Sequence, residues 1–235
     1  MNQVDKKEEI IKIISEKSVL KQHVFDNTYN TFLDLKSVLN YIANNFNSNL
    51  QGIDKRVYLE YKDQGIFDAQ LKVAGDLLVF NMHSNAFEFD RNHTIWKLSY
   101  VEKNPLSSIC GMISVYNFLN DSFRYNREDD LGYLIARIFI NKDKYYFVEG
   151  KRQMGYWINN FGTTQINKET LRDIVYSAIQ YSLEFDLLVP PYDSVKIVSV
   201  AQINSHIESS RMQTGKRLGF TFNSDDISAE TKLDF

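Results

Sequence analysis

Residues 131–151 read LGYLIARIFINKDKYYFVEGK and contain the most regular strand pattern of the chain. From Leu131 to Ile140 the side chains are apolar on both alternating sets, with Arg137 as the only charge. Such a run is typical of an interior strand that is covered on both faces. The polar residues 141–144 predict a turn, after which residues 145–148 resume the strand pattern. We therefore predict an antiparallel hairpin with its turn centred on Lys142 and Asp143.

Glu149 and Lys151 end the second strand of this hairpin, and side chains two residues apart share one face of a strand. A carboxylate beside an ammonium group suits a phosphodiesterase that binds Mg²⁺ or Mn²⁺ and acts on a phosphate. The tripeptide resembles the second half of the PD-(D/E)xK nuclease signature. That resemblance implies Glu149 and Lys151 as catalytic residues. Without it, we predict neither a cofactor nor a metal site.

The nuclease interpretation also needs an acid on the preceding strand, near Glu149. With the turn placed as above, Ala136 faces Glu149, and Asp130 lies about six residues further along, roughly 20 Å away at ~3.4 Å per residue. Carboxylates that share one cation lie about 2.0–2.6 Å from it. The predicted register therefore argues against a nuclease, unless a bulge or an acid from another strand, such as Glu88 or Asp90, completes the site.

The composition narrows the classes of protein to consider. A chain of 235 residues with 14% aromatic residues, 10 Gly and 3 Pro is typical of a folded domain with a sizeable core. A net charge of −3 gives no general field for attracting nucleic acid, so we expect no nucleic-acid partner. We expect no membrane segment either, because no apolar run approaches the ~18–20 residues that cross a bilayer. A single cysteine and the lack of a leader pattern favour the cytoplasm.

The remaining elements are predicted from periodicity. Helical stripes over residues 4–18 and 20–46 predict an N-terminal helical hairpin within residues 1–48. Alternating residues from 57 to 62 and short apolar segments at 67–73, 77–82, 86–90 and 94–101 predict strands of an antiparallel meander. Residues 109–118 fit either a strand or a short helix. Asn167 is expected to cap a helix that runs to about residue 186, followed by a last strand over residues 194–200.

These predictions define an α+β fold: an N-terminal helical hairpin, an antiparallel sheet of about six to eight strands, and one long C-terminal helix packed on the sheet. We expect three regions, with the hairpin in residues 1–48, the sheet domain in residues 54–203 and a polar C-terminal extension in residues 204–235. The apolar stripe of the hairpin either packs on the sheet or forms a contact between subunits.

Histidine and cysteine patterns offer only weak chemical signals. His83 and His93 flank residues 86–90, and with Glu88 or Asp90 they form a set that suits a metal, although hydrogen-bonded surface histidines fit the sequence better. Cys110 is expected to be a small buried apolar residue rather than a nucleophile. The chain contains no GxSxG, P-loop or GxGxxG motif.

A basic and aromatic set of residues is the best candidate for ligand binding, because cationic groups pair strongly with anionic oxygens and loop aromatics bind planar groups. Its members are Arg152, Tyr156, Trp157, Arg211, Lys216 and Arg217. We predict a non-catalytic cytoplasmic binding or regulatory protein that recognises an anionic ligand or a protein partner. The alternatives are the metal-dependent phosphodiesterase and a structural subunit that assembles, as a homo-oligomer, through its N-terminal helices.

Overall fold

A computed structural model describes residues 3–54, 56–128, 130–150, 161–185, 191–197 and 199–201. The helices are α1 (Gln3–Ile13), a π-helical segment (Ile14–Ser18), α2 (Val19–Asn49), α3 (Ser99–Lys103), α4 (Asn120–Arg124), α5 (Lys168–Leu183) and α6 (Tyr192–Val195), with 3₁₀ turns at Thr94–Lys97 and Pro105–Ser108. The strands are β1 (Leu59–Asp63), β2 (Asp68–Val73), β3 (Asp76–Met82), β4 (Cys110–Leu119), β5 (Tyr133–Asn141) and β6 (Tyr146–Gly150).

The six strands form one sheet in the order β1-β2-β3-β4-β5-β6, and every neighbouring pair is antiparallel. Helices α2 and α5 pack together on one face, where their apolar side chains join those of the strands in a single core. The opposite face is covered near the β5–β6 turn by a second apolar cluster that includes Ile95, Val101, Phe139, Phe147 and Phe161. The predicted α+β class, with a six-stranded antiparallel sheet and a helix packed on it, is confirmed.

The prediction of an N-terminal helical hairpin is wrong, because residues 3–49 form one continuous run of helix through the π-helical segment. Ile13, Ser18 and Val19 all keep right-handed helical backbone angles across the expected break. The stretch contains neither Gly nor Pro, so no residue favours the reversal that a hairpin would need. The helix packs on the sheet only from Val24 onward.

Three of the predicted strands also differ from the structure. Residues 94–101 form a 3₁₀ turn and the start of α3, because His93 caps the turn by accepting a hydrogen bond from the amide of Ile95 at 3.2 Å. Residues 86–90 contribute a single bridge, from Phe87 to Cys110. The described part of residues 194–200 contains the end of α6 and no strand. Residues 109–118, left open above, are almost entirely the long strand β4.

The β5–β6 turn sets the register of the central hairpin and differs from the predicted turn by one residue. Ile140 pairs with Tyr146, and the connection runs through Lys142, Asp143 and Lys144, the last with a left-handed φ of 60°. A type I turn followed by a left-handed residue is the usual three-residue hairpin loop. The extra residue shifts the pairing, so that Arg137, and not Ala136, faces Glu149.

Asn141 organises this turn from inside the protein, since its side chain is completely buried. Its Oδ1 accepts hydrogen bonds from the amides of Asp143 at 2.9 Å and Tyr145 at 3.0 Å. Its Nδ2 donates to the Tyr100 hydroxyl at 3.0 Å and to the Ser107 carbonyl at 3.2 Å. One amide group therefore satisfies four partners that the surrounding apolar residues cannot.

The Tyr100 hydroxyl extends this network by donating to the carboxylate of Asp143. Burial of the ring raises the pKa of Tyr100 to about 12, and the hydrogen bond to Asp143 adds to this effect. Gly162 lets the chain pass close to the tyrosine, because a Cβ there would lie 2.6 Å from Tyr100 Cγ. Tyr100 is consequently held in its protonated form against the turn.

Asn141→Ala should lower the free energy of unfolding by about 2–4 kcal/mol, because it leaves one buried and three partly buried polar groups without their hydrogen-bond partner. Urea denaturation followed by circular dichroism measures the change. The exposed loop residue Asn92 provides the control, and Asn92→Ala should stay within about 0.5 kcal/mol of the wild type. A similarly small effect at Asn141 would show that the network does not stabilise the fold.

The raised pKa of Tyr100 predicts that the protein loses stability at alkaline pH. The folded pKa of about 12 lies above the unfolded value of about 10, so the folded state holds the proton more tightly. This contribution is complete below pH ~10 and is lost as the pH rises to ~12. Urea titrations over this range should show a steeper decline for the wild type than for Tyr100→Phe. Tyr192→Phe, at a residue 79% exposed, should follow the wild type.

Candidate functional site

Glu149, the described half of the predicted Glu-x-Lys pair, lies directly opposite Arg137 on β5. The Arg137 Nε donates to Glu149 Oε2 at 2.8 Å, and a second guanidinium nitrogen contacts the same oxygen. Both side chains are partly exposed. The carboxylate that the nuclease interpretation assigns to a metal is thus neutralised by an arginine, an outcome of the one-residue shift in register.

The acids considered as partners of Glu149 are also engaged. Asp130 has a completely buried side chain, whose Oδ2 accepts from Ser122 Oγ at 2.6 Å and lies 2.9 Å from Arg127 Nε. Glu88 pairs with Arg91 at 3.2 Å, and Asp90 accepts from the amide of Asn92 at 2.9 Å. In the described ranges, no three His, Cys, Asp or Glu side chains come together in a set that would hold a metal ion.

Most of the other predicted site residues lie outside the described residues: Lys151, Arg152, Tyr156, Trp157, Arg211, Lys216 and Arg217. The ligand-binding role of the basic and aromatic set stays a prediction.

His83, His93 and Cys110, considered above as chemical groups, have structural roles. His83 Nδ1 accepts from the amide of Asn85 at 3.0 Å, and His93 caps the 3₁₀ turn. Cys110 is completely buried, as expected, and burial raises the pKa of its thiol.

The sheet face opposite α2 and α5 carries a polar row that crosses five strands. Asp68, Asn81, Ser114, Arg137 and Glu149 are successive cross-strand partners on β2, β3, β4, β5 and β6. Asn81 Nδ2 donates to Asp68 Oδ1 at 2.6 Å, and the Arg137–Glu149 pair closes the other end. This row separates the covered, aromatic part of the face from the part near β1, β2 and β3.

Beyond the polar row, a pocket of about 430 Å³ lies over β1, β2 and β3. Strand side chains form its floor, and α4 contributes residues from one side. Its lining combines cationic, aromatic and polar groups: Tyr58, Glu60, Lys62, Gln70, Lys72, Leu77, Asn120, Phe123 and Arg124. The volume falls within the ~300–1,000 Å³ of small-molecule sites.

The charges in this pocket are unbalanced toward the positive. Glu60 is the one acid among the lining residues, and it pairs with Lys62 at 3.3 Å. Lys72 Nζ lies 3.8 Å from the centre of the Tyr58 ring, a cation–π contact. Within the described part of the chain, neither Lys72 nor Arg124 forms an ion pair with a carboxylate.

Helix α4 is too short to hold its position alone, and the contacts around it explain why it stays beside the pocket. The Asn120 amide donates to the Gly75 carbonyl at 2.9 Å, and Phe123 packs edge-on against Phe118 with ring centres 5.2 Å apart. Gly132 permits this packing, because a Cβ there would lie 2.3 Å from the Phe118 ring. Arg124 and Phe123 are therefore presented to the pocket by a fixed element.

Part of this pocket has a signal in the sequence. Lys62 and Lys72 occupy the polar positions of two alternating strands, which places each on the solvent face. The charges come together because Glu60 pairs with Lys72 and Lys62 pairs with Gln70. Predicting these pairs requires knowledge of the register between the two strands. No pattern in the sequence indicates that Arg124 lines the pocket, because it reaches the pocket from a short helix after β4.

Comparison with protein-family models, with curated proteins and with solved structures finds no match for this chain. Among the described residues, no helix combines the length and the apolar character needed to traverse a lipid bilayer. The function must therefore be inferred from the fold and from the pocket.

Removing the carboxylate in Glu149→Gln should lower the free energy of unfolding by about 0.5–1 kcal/mol without any metal, because Arg137 loses a partly exposed partner. A double-mutant cycle with Arg137→Gln isolates the pair energy. Repeating the measurement with Mg²⁺ or Mn²⁺ tests the nuclease interpretation. A metal-dependent stabilisation of the wild type that disappears in Glu149→Gln would contradict our assignment of Glu149 to an ion pair.

Proposed function

We propose that this protein is a non-catalytic binding protein that recognises an anionic ligand on the open part of its sheet. The observation that supports this proposal is the pocket over β1–β3, in which Lys72 and Arg124 stand without a carboxylate partner in the described structure. We also propose that it works in the cytoplasm, on the evidence of its single, buried cysteine.

The chemistry of the pocket defines the class of ligand. An arginine offers a planar fork that matches a carboxylate or a phosphate, and a lysine supplies a compact charge to the same oxygens. The Tyr58 ring beside Lys72 and the exposed ring of Phe123 provide apolar surface for the rest of the molecule. We expect a small phosphorylated or carboxylated compound that has a planar or apolar part.

The phosphodiesterase remains the weaker alternative. Of its two proposed catalytic residues, Glu149 is described, and its carboxylate already accepts from Arg137. Metal binding would have to break this pair before any chemistry could take place. Neither Lys72 nor Arg124 has to break an ion pair with a carboxylate of the described residues before an anion binds.

Isothermal titration calorimetry at low ionic strength tests the proposed function with pyrophosphate and adenosine 5′-monophosphate as probes. Lys72→Gln and Arg124→Gln should each raise the Kd by about 10- to 100-fold, because each removes a charged hydrogen-bond donor. Lys103→Gln, at an exposed lysine outside the pocket, should leave the Kd unchanged. A probe that binds the wild type and both pocket variants equally well would contradict the assignment. Failure of both probes to bind the wild type would contradict it as well.

A second candidate function, a subunit of a homo-oligomer, is favoured by the N-terminal helix. Every residue from 6 to 19 is exposed, although the segment is helical and continuous with the core helix α2. Ile10, Ile11, Ile13 and Ile14 are each more than half exposed. Clustered exposed apolar side chains usually mark an interaction site.

Deleting residues 1–18 tests this second candidate. The deletion leaves α2 and its buried residues in place, so the fold should persist while the molar mass falls from that of an oligomer to that of a monomer. Light scattering after gel filtration gives the mass, and Ile10→Lys with Ile14→Lys should have the same effect. Lys12→Gln, on the same helix, serves as control. An unchanged mass after the deletion, or a monomeric full-length chain, would contradict assembly through this helix.

A further inference from the structure

The segment after α4, the helix beside the pocket over β1–β3, contains the most deeply buried ion pair among the described residues. Asp130 has a completely buried carboxylate, and the Arg127 side chain is 9% exposed. Burying charges in this way is costly unless they are paired, as Arg127 Nε and Asp130 Oδ2 are at 2.9 Å. Ser122, in the middle of α4, supplies the additional donor by giving its hydroxyl proton to Asp130 Oδ2 at 2.6 Å.

This ion pair fixes α4 at its C-terminal end. The Arg127 amide donates to the Ser122 carbonyl at 2.8 Å, and the Asp130 amide donates to the Arg127 carbonyl at 3.2 Å. Asn126, between the helix and Arg127, takes a left-handed φ of 51°, a conformation that asparagine tolerates well. The chain therefore folds back from α4 onto a carboxylate that holds the helix through Ser122.

The pocket depends on this arrangement, because α4 carries three of its lining residues, Asn120, Phe123 and Arg124. Phe123 and Arg124 are the residues directly after Ser122, and both line the pocket over β1–β3. A second, smaller cavity of about 250 Å³ lies on the other side of Phe123 and is lined by Arg127 and Asp130. Movement of the ion pair would thus be transmitted to Phe123 and Arg124 through Ser122.

We propose that Asp130 is a positioning residue for anion binding: through Ser122 and Arg127 it fixes α4, so that Arg124 points its charge at the ligand bound on the sheet. The proposal rests on the proposed anion-binding function. Asp130 itself repels an anion, so its removal would favour binding if charge alone mattered. Positioning predicts the opposite sign, a loss of affinity.

Titration of Asp130→Asn with the same two probes tests this inference. The Kd should rise about tenfold, although the substitution removes a negative charge near the site. In an Arg124→Gln background, Asp130→Asn should have no further effect, because no guanidinium remains to be positioned. Glu128→Gln, at an exposed acid of the same loop, is the charge-matched control and should leave the Kd unchanged.

Ser122→Ala covers the case in which Asp130→Asn does not fold, since it removes one hydrogen bond and keeps the ion pair. Like Asp130→Asn, Ser122→Ala should weaken binding when Arg124 is present and should have no effect in the Arg124→Gln background. An unchanged or lowered Kd in these variants overturns the positioning role, as does an increase that persists in the Arg124→Gln background, because that result indicates general loosening. Wild-type protein that binds neither probe overturns the proposed function itself, and the two failures are thereby distinguished.

Discussion

The turn between β5 and β6, held by the buried side chain of Asn141, is the constraint on which the rest of this structure depends. Asn141 satisfies the polar groups of the turn from within, and further bonds tie the turn to the layers on both sides of the sheet. From the helical layer, Asn27 Nδ2 donates to the carbonyls of Asn141 at 3.2 Å and Lys142 at 2.6 Å. From the opposite layer, Tyr100 donates to Asp143. From the segment that leads into α5, the Ile166 amide donates to the Lys144 carbonyl at 3.0 Å. Because the Asn141 side chain is buried, losing these partners would leave buried polar groups unpaired, at a cost in free energy.

The sequence predicts the elements that local patterns determine. Alternation and apolar runs identify β1, β2, β3, β5 and β6, and Asn167 caps α5 by accepting from the amide of Thr170 at 2.9 Å. Those signals act within a few residues, so they need no knowledge of the fold. Residues 94–101 mislead because their apolar side chains fit a strand equally well, and the His93 cap decides for the 3₁₀ turn.

The candidate site could be predicted far less well, because its geometry depends on single residues in the connections. Lys144 adopts the left-handed conformation without being Gly or Asn, so nothing in its type announces a three-residue loop. That one residue moves Arg137 opposite Glu149 and replaces a presumed metal ligand by an ion pair. The pocket likewise combines charges from the neighbouring strands β1 and β2 with Arg124 of α4, which lies far along the chain and meets them only through the sheet order.

The polar row and the pocket over β1–β3 differ in how their charged groups are partnered, and this difference supports the assignment of the site. Along the polar row, every charged group has a partner, with Asp68 on Asn81 and Arg137 on Glu149. Such pairs stabilise one register of the strands, because a shift by one residue would place these side chains in the apolar core. In the pocket over β1–β3, by contrast, Lys72 rests on an aromatic ring and Arg124 reaches in from a helix that a buried ion pair holds. The one acid of the pocket, Glu60, pairs with Lys62, so the lining keeps a positive excess that an anionic ligand would offset.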